Sequence, residues 1–402
     1  MNWNWIALAV PFFGFLMAVE YFWSRRRGLP VHRLSESVAN LNVGIAERLA
    51  DLFTTGAFYQ VFDAIYRKYA LFDIPGNALT WIGLFLLTDL VWYWYHRFGH
   101  EVNLFWSAHV VHHQSEDYNF TVSARITVFQ SAARGLFWCV LPLVGFPPGM
   151  ITTMLLLHGA YPFFTHTQLV GRLGILEWIL VTPSHHRVHH SSNPEYLDKN
   201  YGDVLIIWDK LFGTFAREER PPVYGLTQPL NSSSFLWQHF HFMLELAVAF
   251  RLARGWRERV RVVLGRPDDI DPRIRLLLER RWLRRNRTLV RSEALNRLVH
   301  IQTALTLGLL FLLLLFGQYF TGFQLLIAAL FLLLSVIATG ALLEQKRWVF
   351  YPDFIRLHLA GLFVYSFYPL PVVSTFLLGI SLMLIAGHKQ LFRRYQQLVY
   401  TG

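Results

Sequence analysis

Apolar runs long enough to cross a bilayer recur along the chain. Residues 3–23 form the first, WNWIALAVPFFGFLMAVEYFW, followed at once by SRRRG. The run has no basic segment ahead of it and no small-residue cleavage site, so it reads as a retained anchor. Residues 78–95 form a second, ending in the aromatic belt WYWY, and 126–145 with 148–165 read as a hairpin turning at GFPPG. Near the C-terminus come 299–316, 322–343, about 354–369 and 371–387. Residues 38–62 are ambiguous, because Glu47 and Asp51 sit inside them; a helix facing a bundle tolerates such charges and a lipid-facing span does not. The pattern predicts an all-α fold, a polytopic membrane helical bundle.

Positive charge sets the topology. RRR at 25–27 places the end of the first span in the cytoplasm, and counting onward brings the Arg-rich stretch and HKQLFRRYQQ near the chain end to the same side. That count puts 96–125 and 166–250 on the cytoplasmic face, of a bacterial inner membrane or of the endoplasmic reticulum in a eukaryote. Three units are expected: a catalytic unit at 1–250, an Arg-rich cytoplasmic linker at 251–297, and about four transmembrane helices at 298–402.

Composition supports the membrane reading, with 54% hydrophobic and only 16% charged residues. Of the net charge of +11, most falls in residues 251–291, where fourteen arginines face five acids. In a chain this apolar such a run is expected to lie beside anionic lipid headgroups, and no nucleic-acid partner is expected. The single cysteine, Cys139, excludes an intrachain disulfide and thiolate metal sites. Any metal must be held by His, Asp or Glu.

The seventeen histidines fall unevenly. Five lie in HRFGHEVNLFWSAHVVHH, residues 96–113, and four in TPSHHRVHHSSN, residues 182–193; His158 and His166 lie between. His96 and His100 are i, i+4. His109 is i, i+3 and i, i+4 with His112 and His113, and His186 repeats that pattern with His189 and His190. On a helix each set projects from one face, and three such faces can surround two cations. A single interfacial His is ordinarily satisfied by backbone or water; eight in three spaced sets on one side of the membrane are not explained that way. Imidazole suits Zn, Cu, Fe and Ni alike, so spacing does not name the metal. HEVNL fails as a zinc-protease motif because Leu104 stands where the second His is needed. A haem reading needs facing His pairs inside spans, and these sets lie at span ends. The remaining six, His32, His239, His241, His300, His358 and His388, read as ordinary polar or interfacial residues.

The pattern H-x3-H, H-x2-H-H, H-x2-H-H resembles the fatty acid hydroxylase / sterol desaturase superfamily of membrane di-iron enzymes. The resemblance rests on residues 96–119, on 182–193 and on DKNYGDVLIIWDKLFGTF at 198–215, and covers about 80–216. It implies an O2-dependent lipid hydroxylase, a monooxygenase whose two irons are held by His96, His100, His109, His112, His113, His186, His189 and His190. His166 lies where the family often has a further ligand. Zinc is an expected substitute for iron in purified protein. The resemblance also implies an ether lipid as candidate substrate and a tetrahydropterin as candidate reductant, for which the chain carries no motif. No fused electron-transfer domain is visible, so electrons come from a diffusing donor or reduced pterin. An all-imidazole site stays cationic and calls for carboxylates nearby. Glu101 is the first candidate and the residue expected to act in catalysis. Asp89, Asp203 and Asp209 are candidates to orient the rings, His185 a neighbour behind them, and His158 a polar core residue. A lipid desaturase or sterol oxidase of the same superfamily is the alternative enzyme. A His-rich metal transporter is the alternative outside enzymes, although transporters place ligands near the middle of spans.

Overall fold

The computed structural model describes residues 5–283 and 293–400. Among them the chain is all-helical, and its β pairing is limited to two isolated bridges, Leu180 with Leu205 and Ser191 with Tyr224. Trp3 of the first apolar run and Arg284, Arg285, Arg287 and Arg291 of the basic run lie outside the described residues.

Helix α1 (Ala9–Arg26) ends on Arg25 and Arg26, cations that suit the negative end of a helix. The ambiguous stretch resolves into one helix, α2 (Leu34–Tyr69), whose Val38–Leu49 region is largely buried. Its Glu47 faces inward at 1% exposure, as expected of a bundle helix and not of a lipid-facing span. Helix α3 (Ala78–Glu101) starts at a capping box: Thr80 N–H donates to Asn77 Oδ1 at 3.1 Å and Asn77 N–H to Thr80 Oγ1 at 3.0 Å. Its 24 residues extend about 36 Å, beyond a ~30 Å hydrocarbon core, and His96 and His100 occupy its last turns. The chain then breaks into short pieces, α4 (Asn103–His109) and α5 (Phe120–Ser123).

The run 126–145, expected as half of a membrane hairpin, is two short helices, α6 (Gln130–Trp138) and α7 (Val140–Val144). The break falls at Cys139, beside Gly135 and Pro142, and Leu71 and Phe72 N–H groups bond Leu143 O and Val144 O at 2.9 and 3.2 Å. Neither piece is long enough to cross. Helix α8 (Pro148–Thr165) follows and stops one residue short of His166. Beyond it lie α9 (Pro183–His189), started by Thr182 as N-cap with Pro183 at the first helical position, and α10 (Ile207–Phe212).

The basic stretch is not a bare loop. Helices α11 (Phe235–Leu252), α12 (Trp256–Leu264) and α13 (Pro272–Trp282) pack together, with buried Arg275 paired to Glu245 at 2.7 Å. Helices α14 (Glu293–Phe316) and α15 (Gly322–Leu343) pack on each other and on α2 through a shared core of Ile45, Leu49, Leu310, Leu313, Leu332 and Val336. After α16 (Phe350–Phe367) come α17 (Pro371–Ala386) and α18 (His388–Tyr400), which meet at a 70° bend. Among the described residues three helices are long and apolar enough to cross a membrane: α3, α14 with the turn after it, and α15. The bent pair α17–α18 makes a fourth if taken as one span.

Candidate metal centre

All nine predicted histidines converge, and they divide into two groups. His96, His100, His109, His113 and His189 form one; His112, His166, His186 and His190 form the other. Within each group the donor nitrogens lie within 4.8 Å of one another. The division corrects the expectation that each set projects from one face. His109 ends α4, and His112 and His113 follow in a 3-10 turn, so these neighbours point apart by about 120°. His189 and His190 part in the same way at the end of α9.

The second ring nitrogen of several histidines is held by a backbone carbonyl. His96 Nδ1 bonds Tyr201 O at 2.8 Å, His189 Nδ1 bonds Lys199 O at 3.0 Å, His112 Nδ1 bonds Arg125 O at 3.1 Å and His166 Nδ1 bonds Pro162 O at 2.6 Å. Donation there fixes the tautomer and leaves each Nε2 as a bare lone pair aimed inward. Those lone pairs crowd one another. His166 Nε2 lies 3.1 Å from His186 Nε2, 3.2 Å from His190 Nε2 and 3.3 Å from His112 Nε2; His109 Nε2 lies 3.1 Å from both His96 Nε2 and His113 Nε2. One ring nitrogen carries at most one proton and one lone pair, so it cannot be satisfied by hydrogen bonds to three others at once. A cation at the centre of each group resolves the conflict, so the donor set fits a divalent transition metal. Burial and the neighbouring imidazoles hold His109, His112, His113, His186, His189 and His190 well below the ordinary histidine range, which keeps them neutral as ligands must be.

The carbonyls that hold His96 and His189 belong to one strap, residues 199–205, and carboxylates pin it. Asp209 Oδ1 accepts the Tyr201 N–H at 2.7 Å and Oδ2 the Gly202 N–H at 2.8 Å, while Thr214 Oγ1 donates to Oδ1 at 2.7 Å. A Cβ on Gly202 would meet Leu205 O at 2.7 Å and Asp209 Oδ2 at 2.9 Å, so glycine is required there for the close approach. Asp89 accepts from Val204 N–H, Leu205 N–H and Trp208 Nε1 at 3.0, 3.1 and 2.9 Å. Asp203 pairs with His158 at 2.8 Å. Of the three expected ring-orienting aspartates, none touches a ring of the nine. Asp209 reaches His96 through the strap, and Asp203 instead forms a separate buried cluster with His158 and Asp89. His185 lies outside both groups and packs on Phe215. Asn119 is a helix cap, accepting from Thr121 N–H at 3.0 Å, and Tyr118 stacks between His166 and Tyr224. Two of the six histidines read as ordinary polar residues, His239 and His241, are buried in α11.

Two cavities flank the rings and share no lining residue. One, about 670 Å³, is lined by His96, His109, His112, His166 and His186 and by apolar residues of α1, α2, α8 and α14. The other, about 280 Å³, is lined by His100, His113, His189 and His190 together with Glu101, Asp198, Asp268, Arg266 and Arg275. Glu101 therefore stands in the wall of the polar cavity, 3.0 Å from Arg97 Nε and 3.7 Å from Arg266. Sequence reasoning missed the carbonyls and the second cavity: every residue has a carbonyl, so nothing in the residue names marks the ones that hold a ring.

Residues 81–214, which enclose all nine histidines, match the family model described as fatty acid hydroxylase. Over a longer stretch the chain is similar to alkylglycerol monooxygenase of Homo sapiens, 38% identical over 266 residues, 66% of this chain and 60% of that protein. The alkylglycerol monooxygenase of Xenopus tropicalis is 36% identical over 63% of this chain and 59% of its own length. Ornithine lipid hydroxylase OlsE of Rhizobium tropici is 27% identical over 53% and 65%. The chain thus spans less than two thirds of the length of these relatives. No solved structure matches it.

Proposed function

We propose that the protein is an integral-membrane di-iron monooxygenase that hydroxylates a lipid with O2, the substrate being an ether lipid of the alkylglycerol kind and the reductant a tetrahydropterin. The observation that carries this reading is the position of nine converging imidazoles between an apolar cavity and a polar one. Five rings on the apolar side suit a lipid chain, and the polar side suits a water-soluble reductant. In balance, R–H, O2, two electrons and two protons give R–OH and water, the reduced pterin supplying both electrons. Bound iron supplies activation of O2, which no side chain can.

The chain's own residues do the rest. The four- and five-ring groups hold the metals, with the strap at 199–205 orienting His96 and His189. The apolar walls bind the chain and exclude water from the reacting carbon. Glu101 is the proposed catalytic carboxylate, contacting the reductant in the polar cavity and offsetting the charge of the five-ring group. The basic clusters support a cytoplasmic placement of this face. We also assign residues 1–250 as the catalytic unit, 251–297 as its basic cytoplasmic connection and 298–402 as the membrane group behind it. The test is purified protein in nanodiscs, loaded with Fe(II), given tetrahydropterin, an alkylglycerol and 18O2. One 18O atom in the lipid product is expected. Metal-loaded protein that yields no labelled lipid refutes the reading.

A further inference from the structure

Helices α11 and α12 carry their apolar residues outward. In α11 the polar side chains Gln238, His239, His241 and Glu245 are buried, while Leu236, Phe240, Ala247 and Phe250 are exposed. At about 100° per residue those four share one face. A helix that meets water is oriented the other way, with its apolar stripe inward. Helix α12 repeats the anomaly. Its Val262 packs into the core that holds Val43, Val110 and Val111. Trp256, Val260 and Leu264, at i, i+4 and i+8, point away from that contact and are 71%, 46% and 58% exposed. Arg257 and Arg261 border this stripe on one side and Arg259 on the other. The Arg259 guanidinium lies 5.3 Å over the Phe250 ring, which brings the end of one stripe to the edge of the next.

The stripes are not those of spans. Helix α12 is about 14 Å long, and α11 is not among the helices apolar enough to cross. Charge identifies what covers them. Residues 251–261 hold five exposed arginines, Arg251, Arg254, Arg257, Arg259 and Arg261, against one acid, Glu258. A second copy of the chain seated here by two-fold symmetry would set these arginines against one another. A bilayer surface bearing anionic lipid complements both features: the stripe enters the acyl boundary and the guanidinium groups reach up to phosphates.

We propose that α11 and α12 lie flat on an anionic leaflet, with Leu236, Phe240, Phe250, Trp256, Val260 and Leu264 seated at the boundary between headgroups and acyl chains and the arginine fringe on lipid phosphates. This surface lies outside both cavities and does not depend on what the apolar cavity binds. Its consequence is for the polar one. Asn103, which opens α4, donates from its backbone to Gly265 O at 2.8 Å and from Nδ2 to Val262 O at 2.9 Å. Arg266, Pro267 and Asp268, which follow α12 directly, line the polar cavity. A seated α12 therefore holds the rim of that cavity at headgroup level, tied to the helix that ends on His109.

The experiment attaches an environment-sensitive fluorophore to the full chain in nanodiscs, singly at Val260→Cys and Ala247→Cys, in a Cys139→Ala background. Quenching by shallow nitroxide-bearing lipid is compared with quenching by acrylamide in water. The discs are phosphatidylcholine with or without phosphatidylglycerol, and metal content and thermal unfolding are followed in parallel. With phosphatidylglycerol present, the lipid quencher is expected to reach both sites and acrylamide neither. Omitting phosphatidylglycerol, or replacing Arg257, Arg259 and Arg261 together with glutamine, is expected to raise acrylamide quenching at residue 260 at least about fivefold. Acrylamide quenching in the anionic discs as strong as at exposed Glu219→Cys overturns the proposal. So does protection from both quenchers, which places a protein on this face, and so does lipid quenching that is the same with and without phosphatidylglycerol. The lipid comparison leaves the arginines in place, so it decides the matter even where the triple variant loses metal or fails to fold.

Discussion

Replacing Asp209 with asparagine exchanges one carboxylate oxygen for an amide NH2 and changes little else in shape. The side chain is fully buried, and its two oxygens receive the Tyr201 and Gly202 N–H groups and the Thr214 hydroxyl. Burial pushes the Asp209 carboxyl up to about 6, against those bonds, so it is ionised at neutral pH. In Asp209→Asn one of the two backbone N–H groups faces another donor. A hydrogen bond to a charged acceptor, worth about 1.5–3 kcal/mol, is lost, and a buried N–H is left without a partner. The expected destabilisation is about 3 kcal/mol. The consequence for the metal follows from the next atom along. The Tyr201 carbonyl holds His96 Nδ1 at 2.8 Å, so a strap that relaxes away from residue 209 releases the His96 ring. Groups placed this way behind a ligand contribute roughly 10–100-fold to metal affinity. The assay is zinc titration against a chromogenic chelator, with thermal unfolding of the metal-free protein followed separately. Asp209→Asn that binds zinc within about twofold of the parent and melts at the same temperature refutes the role given to the strap.

The two histidine groups differ in redundancy. Removing one ring from the four-nitrogen group by His186→Ala is expected to leave about one metal per chain, while His100→Ala leaves four rings in the other group and costs affinity before stoichiometry; elemental analysis after dialysis separates the outcomes. In Glu101→Gln, turnover with tetrahydropterin falls by an order of magnitude or more while metal content holds; parental turnover reduces Glu101 to its ion pair with Arg97, worth under about 1 kcal/mol. Arg187 is buried and bonds both Glu218 oxygens at 2.8 and 2.7 Å and the Thr167 and Val170 carbonyls at 3.0 and 2.7 Å. Its loss in Arg187→Met is expected to destabilise by about 3 kcal/mol, read by thermal unfolding, and an unchanged melt removes it as the brace beneath α9.

Histidine spacing made the site legible in the sequence because i, i+3 and i, i+4 repeats survive whatever the surrounding fold does. It did not tell which ring goes with which. That depends on whether His112 and His113 continue a helix or enter a 3-10 turn, a difference of angle that residue identity does not encode. The apolar run at 126–145 misled for a related reason: hydropathy counts side chains and is blind to backbone bonds such as Leu71 N–H to Leu143 O that end a helix early. Glu47 and Asp51 were visible as anomalies in α2; Asp51 pairs with Arg48 on the same helix, but Arg134, a partner of Glu47, lies 87 residues away and enters through packing alone.

His112–His113 and His189–His190 each send one ring to either group, so two ordinary peptide links bridge what otherwise look like separate cages. Consecutive Cα atoms are fixed about 3.8 Å apart, which makes these links inextensible tethers at two points on the rim. The pair of cages cannot spread or slide without dragging α4 and α9 along. Their spacing is thus inherited from covalent geometry, and an ion entering one cage would also fix two rings on the rim of the other.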